Sequence, residues 1–290
     1  HAQDTPKWAD KAKKAVFSIV TYDKENKIKN TGNGFYINNN GTALSDYSLF
    51  EDAERAVIIN ADGKELPVTR IAGANSMYDV IKFRTETEKK ITALKVATQP
   101  AAVGETVYLL PYSTQKAATC QTGNVTQVDT IADKAYYYTL TMTTSDKTVS
   151  CPIMNANGEV LGLIQKSASE EDKESYAIGA SYGESLSISP LSANDINLNK
   201  IGIAKALPET EDQALVYLYM SSSQMDAKNY LATLNDFLQA YPNSTEGYTR
   251  RAGYYMNIGD DEHNALAEAD LKKAMDVSGN KQKDNIMWLR

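Results

Sequence analysis

Residues 32–45 read Gly32-Asn33-Gly34-Phe35-Tyr36-Ile37-Asn38-Asn39-Asn40-Gly41-Thr42-Ala43-Leu44-Ser45. A glycine-led apolar run meets Asn40-Gly41, and a second apolar run follows. Asn and Gly accept the positive φ that tight hairpin turns require, so the stretch predicts two antiparallel strands. The same punctuation returns at Asp62-Gly63 and Asn157-Gly158. Between these turns lie short β-branched or aromatic runs, among them Ala15–Tyr22, Arg55–Asn60, Glu105–Leu110, Ala135–Met142 and Val160–Gln165. About a dozen strands over residues 15–188, with almost no helical period among them, point to a large antiparallel barrel or sandwich. Pro6–Lys14 is the exception and reads as a short helical opening.

The pattern changes after Leu207. Strand runs stop, and apolar residues recur at three- and four-residue spacing, as in Leu231, Leu234, Phe237, Leu238 and Tyr241. The expected organisation is a β domain over 1–195, a linker over 196–210 containing Pro208, and an all-α domain over 211–290. Within the helical half, Tyr230, Leu234 and Phe237 recur 37 residues later as Ala267, Leu271 and Ala274. The segment 267–274 resembles the second helix of a tetratricopeptide (TPR) repeat, with Ala252-Gly253 at the close-packing point of the preceding helix. Residues beyond the usual repeat length are expected in an Asp260–His263 turn. Asp284–Arg290 reads as the opening of another helix.

Composition narrows the function. The 290 residues carry 30 Lys plus Arg against 37 Asp plus Glu, a formal charge of −7 and a pI near 5.1. That balance lacks the cationic footprint of nucleic-acid binding, so no nucleic-acid partner is expected. No apolar run approaches the roughly 18 residues of a spanning helix, so no transmembrane segment is expected. His1-Ala2-Gln3 reads either as the end left by a removed secretory signal peptide or as a cloning remnant. The first reading makes the protein periplasmic or secreted. Cys120 and Cys151 are an even pair, which permits one disulfide without forcing it. No His, Cys and carboxylate cluster has ligand spacing, and Gly183 lies in no phosphate-cradling pattern, so neither metal nor cofactor is expected. Glu170-Glu171-Asp172 with Glu174 reads as a solvated loop. Tyr136-Tyr137-Tyr138 must place side chains on both strand faces, serving either as core and rim filling or as a binding surface.

Several landmarks resemble the trypsin-like serine peptidases, in particular their bacterial HtrA-type branch. Gly32–Ile37, Gly41, Leu44 and Ser45-Asp46-Tyr47-Ser48-Leu49-Phe50-Glu51-Asp52-Ala53 resemble the family's first-barrel strand, hairpin and histidine motif. Tyr78-Asp79-Val80-Ile81-Lys82 is similar to the strand carrying its aspartate. Val103–Tyr108 with Pro111 resembles the start of the second barrel. Val149–Asn155 with Gly158–Gly162 resembles the nucleophile loop and the next strand, and Tyr176-Ala177-Ile178 resembles the closing strand. The resemblance implies a double β-barrel, in agreement with the strand count.

The resemblance does not carry the chemistry over. Serine peptidases need a hydroxyl nucleophile, an imidazole base, a carboxylate that orients it and N–H groups aimed at the oxyanion. Ser48 stands at the histidine position and Val149 at the nucleophile position. The oxyanion-loop glycine falls on Lys147, where a side chain makes the required backbone conformation harder to reach. Asp79 matches, as a remnant or as an ordinary polar residue at a strand start. Ser150 is one residue past the nucleophile position, which turns its side chain the other way, and Cys151 lacks a base to make it a thiolate. His263, the one histidine besides His1, falls in the helical half. Removing one triad member costs roughly three to six orders of magnitude in rate. The expectation is a pseudoenzyme that binds a protein or peptide through its helical repeats, with oligomeric state open. The alternative is a divergent endopeptidase whose missing groups come from elsewhere. The resemblance also makes the strands beside Cys120 and Cys151 neighbours, which brings the two thiols near each other.

Overall fold

The computed structural model describes residues 5–131, 135–167 and 171–279. The features read at His1-Ala2-Gln3, Glu170 and Asp284–Arg290 lie outside them. The chain divides into two compact units. One runs to Ser187 and takes in Ile196–Ile203; the other comprises Ile188–Asp195 and the chain from Ala204 onward. The segment read as a linker, 196–210, is thus divided between them. Its first part is tied to the β unit by the Gly202 N–H, which donates to the Ala53 carbonyl at 2.8 Å.

The first unit opens with α1 (Ala9–Ala12) and continues into β1 (Val16–Tyr22), β2 (Ile28–Tyr36), β3 (Thr42–Ser45), the short α2 (Tyr47–Phe50), β4 (Arg55–Ile59), β5 (Glu65–Asn75) and β6 (Val80–Thr85). These six strands close into an antiparallel barrel in the order β1-β2-β3-β6-β5-β4. Then β7 (Thr106–Leu109), β8 (Gln121–Ile131), β9 (Ala135–Leu140), β10 (Pro152–Met154), β11 (Val160–Ile164) and β12 (Ser175–Gly179) close a second barrel, β10-β11-β12-β9-β8-β7. Three predicted turns are present: Gly41, Gly63 and Gly158 have φ of 91°, 83° and 77° between the paired strands β2/β3, β4/β5 and β10/β11. Phe17, Ile19, Ile58, Ile71, Ile81 and Phe83 fill the first barrel as the inward positions of alternating strands. Gly34 is required there, because a Cβ would sit 2.6 Å from the Leu44 carbonyl oxygen. Residues of both barrels, including Val16, Phe35, Leu44, Leu110, Met154 and Ile178, form one shared apolar cluster.

The residues before β1 strap the second barrel. Trp8 Nε1 donates to the Ala156 carbonyl at 2.9 Å and its ring packs against Gly158. Asp10 accepts the Ala118 N–H at 2.8 Å, and the buried Lys13 ammonium donates to the carbonyls of Gln115 and Lys116.

After β12 come α3 (Ala180–Ser185) and α4 (Ile196–Asn199), and then the helical unit proper: α5 (Glu211–Ser221), α6 (Ala227–Ala240), α7 (Thr245–Ile258) and α8 (Asp261–Ser278). Thr210, Asp226, Ser244 and Asp260 cap these four helices, each accepting the N–H three residues on. Tyr230, Leu234 and Phe237 of α6 pack with Ala214 and Leu218 of α5. Ala267 and Leu271 of α8 meet Ala252 of α7, and Ala274 joins Leu238 and Tyr248. Arg251 locks three helices. It is bidentate to the buried Asp270 at 2.8 and 2.7 Å and donates to Asn235 Oδ1 at 3.0 Å.

Two local expectations are corrected. Gly253 is not at a helix contact: it is exposed and a Cβ there would meet nothing within 4 Å. One step of about 100° around α7 carries it off the Ala252 face. The Asp260–His263 turn is likewise shorter than expected. Gly259 closes α7 at φ 77°, Asp260 caps α8, and His263 lies in the first turn of that helix with Nδ1 2.6 Å from Asp260 Oδ1.

Candidate functional site

The sequence after β3 places a carboxylate at a helix start. Asp46 is the N-cap of α2: Oδ2 accepts the Leu49 N–H at 3.1 Å, and Ser48 follows in the first turn. Asp79 lies just before β6 in a left-handed conformation, φ 53°, which Asp tolerates better than most residues. Its Oδ1 accepts both the Ser48 N–H at 2.7 Å and the Ser48 hydroxyl at 2.8 Å. Ser48 and Asp79, 31 residues apart, are therefore brought together, and the exposed Ser48 hydroxyl is engaged by the carboxylate.

The loop before β10 meets the first barrel at the same place. Asn33 Nδ2 donates to the carbonyls of Lys147 and Val149 at 2.8 and 3.0 Å, and Ser150 Oγ donates to Asp46 Oδ1 at 2.8 Å. Ser45 Oγ donates to the Asn33 carbonyl at 2.6 Å and so braces this network from β3. Ser150 has φ 64°, and its N–H donates to the Ile164 carbonyl at 2.7 Å, so the loop is held against β11 as well. The Asp46–Ser150 and Asn33–loop contacts escaped the sequence reading. They span 104 to 116 residues, and only the capping role of Asp46 had a local signal.

This arrangement offers little to an incoming carbonyl. The Lys147 N–H is turned to Ser145 Oγ at 3.3 Å within the 3₁₀ turn Asp146–Thr148, and the Lys147 side chain is exposed. Val149 presents a hydrocarbon. Ser150 has a hydroxyl, but it is only 2% exposed, and its acceptor Asp46 belongs to the packing between the barrels. Burial raises the Asp46 pKa above the carboxylate norm, with the nearby Asp79 charge adding to the effect and the Ser150 hydrogen bond opposing it.

Residues 32–163 match the trypsin-like peptidase domain family. The match spans β2 through most of β11 and contains Ser48, Asp79, Lys147 and Val149. A serine endoprotease from Yersinia pestis, known from its crystal structure, superposes with a TM-score of 0.51 at 15% identity, covering 67% of this chain and 68% of that one. The trypsin-like double barrel is therefore the fold of the β unit. No curated protein sequence is significantly similar to this one.

Both cysteines are free thiols: the disulfide that the even pair permits is not formed, and the expected proximity is corrected by the strand order. Cys120 precedes β8 and Cys151 precedes β10, and β7 lies between those strands, paired with both. Two strand spacings are roughly 9 to 10 Å, beyond the ~7 Å that a disulfide spans between Cα atoms. They also face different apolar clusters. Burial pushes the Cys120 thiol up to about 11 and the Cys151 thiol up to about 12, so neither is an activated nucleophile. Among the described residues no group of three or more His, Cys, Asp or Glu could hold a metal ion.

The tyrosine run is divided by its strand. Tyr138 is buried and accepts the Ala101 N–H at 3.2 Å, while the half-buried Tyr137 stacks on Tyr176 and donates to Gln165 at 2.9 Å. Both are satisfied within the second barrel. In the acidic run, Glu171 and Glu174 are exposed.

Proposed function

We propose that this protein is a non-catalytic member of the trypsin-like fold, a pseudopeptidase joined to a TPR-like helical module, and that it binds or scaffolds a protein or peptide partner in an extracytoplasmic compartment. The observation that carries the reading is the Ser48–Asp79 pair. The group held by the carboxylate is a hydroxyl, which cannot accept a proton near neutral pH, where the peptidase mechanism needs an imidazole. Val149 at the nucleophile position and the occupied Lys147 N–H add to it. The four capped helices, with Tyr230, Leu234 and Phe237 repeated as Ala267, Leu271 and Ala274, support a repeat module, an architecture suited to presenting a protein-binding surface.

A second reading, a divergent endopeptidase, is favoured by one observation. Ser150 Oγ sits 2.8 Å from a carboxylate of raised pKa, and a carboxylate can serve as a base. Against it stands the burial of Ser150. Hydrolysis of casein and of a fluorogenic ester by the purified chain decides between them. The non-catalytic reading expects no turnover above background. Turnover abolished by Ser150→Ala would establish the divergent peptidase instead. Fractionation of cells expressing the native gene tests the compartment: recovery in the cytosol would exclude it.

A further inference from the structure

The helical unit carries an open groove of about 670 Å³ whose walls include Met225, Tyr230, Tyr254 and Met256, with Gly253 leaving open space beneath. Among the described residues Arg250 is the one charged residue lining it. Its environment differs from that of its neighbour in sequence. Arg251 spends its guanidinium on Asp270 and Asn235, whereas the half-buried Arg250 has no hydrogen bond or ion pair among the described residues and only overlies the Tyr219 ring at 5.5 Å. A guanidinium has five N–H donors in a planar fork that matches a carboxylate, and partial burial makes leaving them unused more costly. Around it the surface is mixed and uncovered: Ser222 and Asn257 line the groove beside the apolar side chains, and Tyr219 is 69% and Met256 42% exposed. Whatever the net charge of −7, the local field of the groove is that of a cation beside two tyrosines and two methionines, which complements a carboxylate with an apolar neighbour.

We propose that this groove binds an acidic peptide segment of a partner protein: a carboxylate side chain docks on Arg250, and a neighbouring aliphatic or aromatic side chain lies between the tyrosines and methionines. The methionines suit such a role because their unbranched side chains repack around differing apolar groups. The proposal rests on the helical unit being the binding element of this protein, and it specifies what that element reads.

The full chain is titrated calorimetrically with an acetylated, amidated octapeptide alternating aspartate with leucine and phenylalanine, and with its asparagine counterpart. The acidic peptide is expected to bind at least about tenfold more tightly, as a charge-assisted hydrogen bond implies, and to weaken as salt is raised. Arg250→Gln removes the preference and Arg250→Lys keeps part of it. Gly253→Leu fills the groove from its open base and abolishes binding of both peptides. Among the described residues Arg250 makes no hydrogen bond or ion pair, and a Cβ at Gly253 meets nothing within 4 Å, so all three variants are expected to keep the parent fold by circular dichroism. Equal affinity for the two peptides overturns the proposal. So does failure of the acidic peptide to bind, or self-association of the chain that Arg250→Gln abolishes, which would make a second copy the occupant. Partner capture from an envelope extract that survives both Arg250→Gln and Gly253→Leu would also overturn the groove, while leaving the helical unit as the binding element.

Discussion

Ser48 turns both its backbone N–H and its hydroxyl to a single oxygen, Asp79 Oδ1, at 2.7 and 2.8 Å. Asp79 thereby serves as a second acceptor at the start of α2. Asp79→Ala is expected to lower unfolding free energy by about 1 to 2 kcal/mol, from the lost cap and from forcing alanine into a left-handed conformation. Urea titration measures it. Ser48→His puts an imidazole beside the same carboxylate. Its pKa, followed by NMR, is expected above the ordinary value of roughly 6.5, because the neighbouring negative charge favours the imidazolium. Ester hydrolysis should stay at background, since Val149 still supplies no nucleophile.

Ser150 combines a positive φ with a buried hydrogen bond to Asp46, and substitutions separate the two effects. Ser150→Ala keeps the unfavourable backbone and removes the donor, for an expected loss of about 2 to 3 kcal/mol. Ser150→Gly loses the same donor but relieves roughly 1 kcal/mol of backbone strain. Its unfolding midpoint should fall between those of Ser150→Ala and the parent protein.

Asp46 predicts a pH dependence of the less common sign for a carboxylate. Its folded-state pKa is raised, so between the unfolded value of roughly 3.9 and the folded value the native state binds more protons than the unfolded state. The contribution of Asp46 to stability therefore grows as pH falls from neutral through the folded pKa, and levels off below about 3.9. The stability difference between the parent protein and Asp46→Asn, followed by urea unfolding from pH 7 to 4, should move in the parent's favour on acidification. A difference that moves the other way would refute the assignment.

Burial pushes the thiol of the partly buried Cys120 up to about 11 and that of the fully buried Cys151 up to about 12. An aromatic disulfide reagent at pH 8 should leave Cys151 unmodified in the native protein and label both cysteines in guanidinium. Because the unfolded thiols ionise near pH 8.5, stability should decline as pH rises above that value and do so less in Cys151→Ala. Oxidised and reduced samples should have the same mass once corrected for alkylation of two free thiols.

Gly253 stands mid-helix in α7 with open space where a Cβ would be. Gly253→Ala should therefore raise stability by about 0.5 to 1 kcal/mol, the helix-propensity difference alone. A loss of that size in a thermal melt would mean that the glycine is packed after all.

How much of this was legible beforehand depends on the range of the interaction. The barrel strands could be read because Asn40-Gly41, Asp62-Gly63 and Asn157-Gly158 are local turn chemistry bounding period-2 runs, and all three turns form. Ser48 and Asp79 were singled out through family landmarks rather than through any physical signal between positions 48 and 79. The Asp46–Ser150 and Asn33–Val149 bonds join separate barrels, and no spacing rule reaches that far. Gly253 and His263 show a different limit. Each was assigned to the right stretch of chain, but a helix turns about 100° per residue and a cap moves a boundary by two or three positions, so the face and the turn were misplaced.

The strap formed by Trp8, Asp10 and Lys13 bears on the order of folding. Its bonds reach forward 102 to 148 residues, across the whole of the first barrel, to carbonyl and amide groups of the second. Asp10 and Lys13 therefore meet these partners only once residues 115–118 have been made, and Trp8 only once Ala156 has, so the strap closes after all six strands of the first barrel are available. Closure of the strap is in this sense a late step, in which residues preceding the first barrel are fixed by loops of the second.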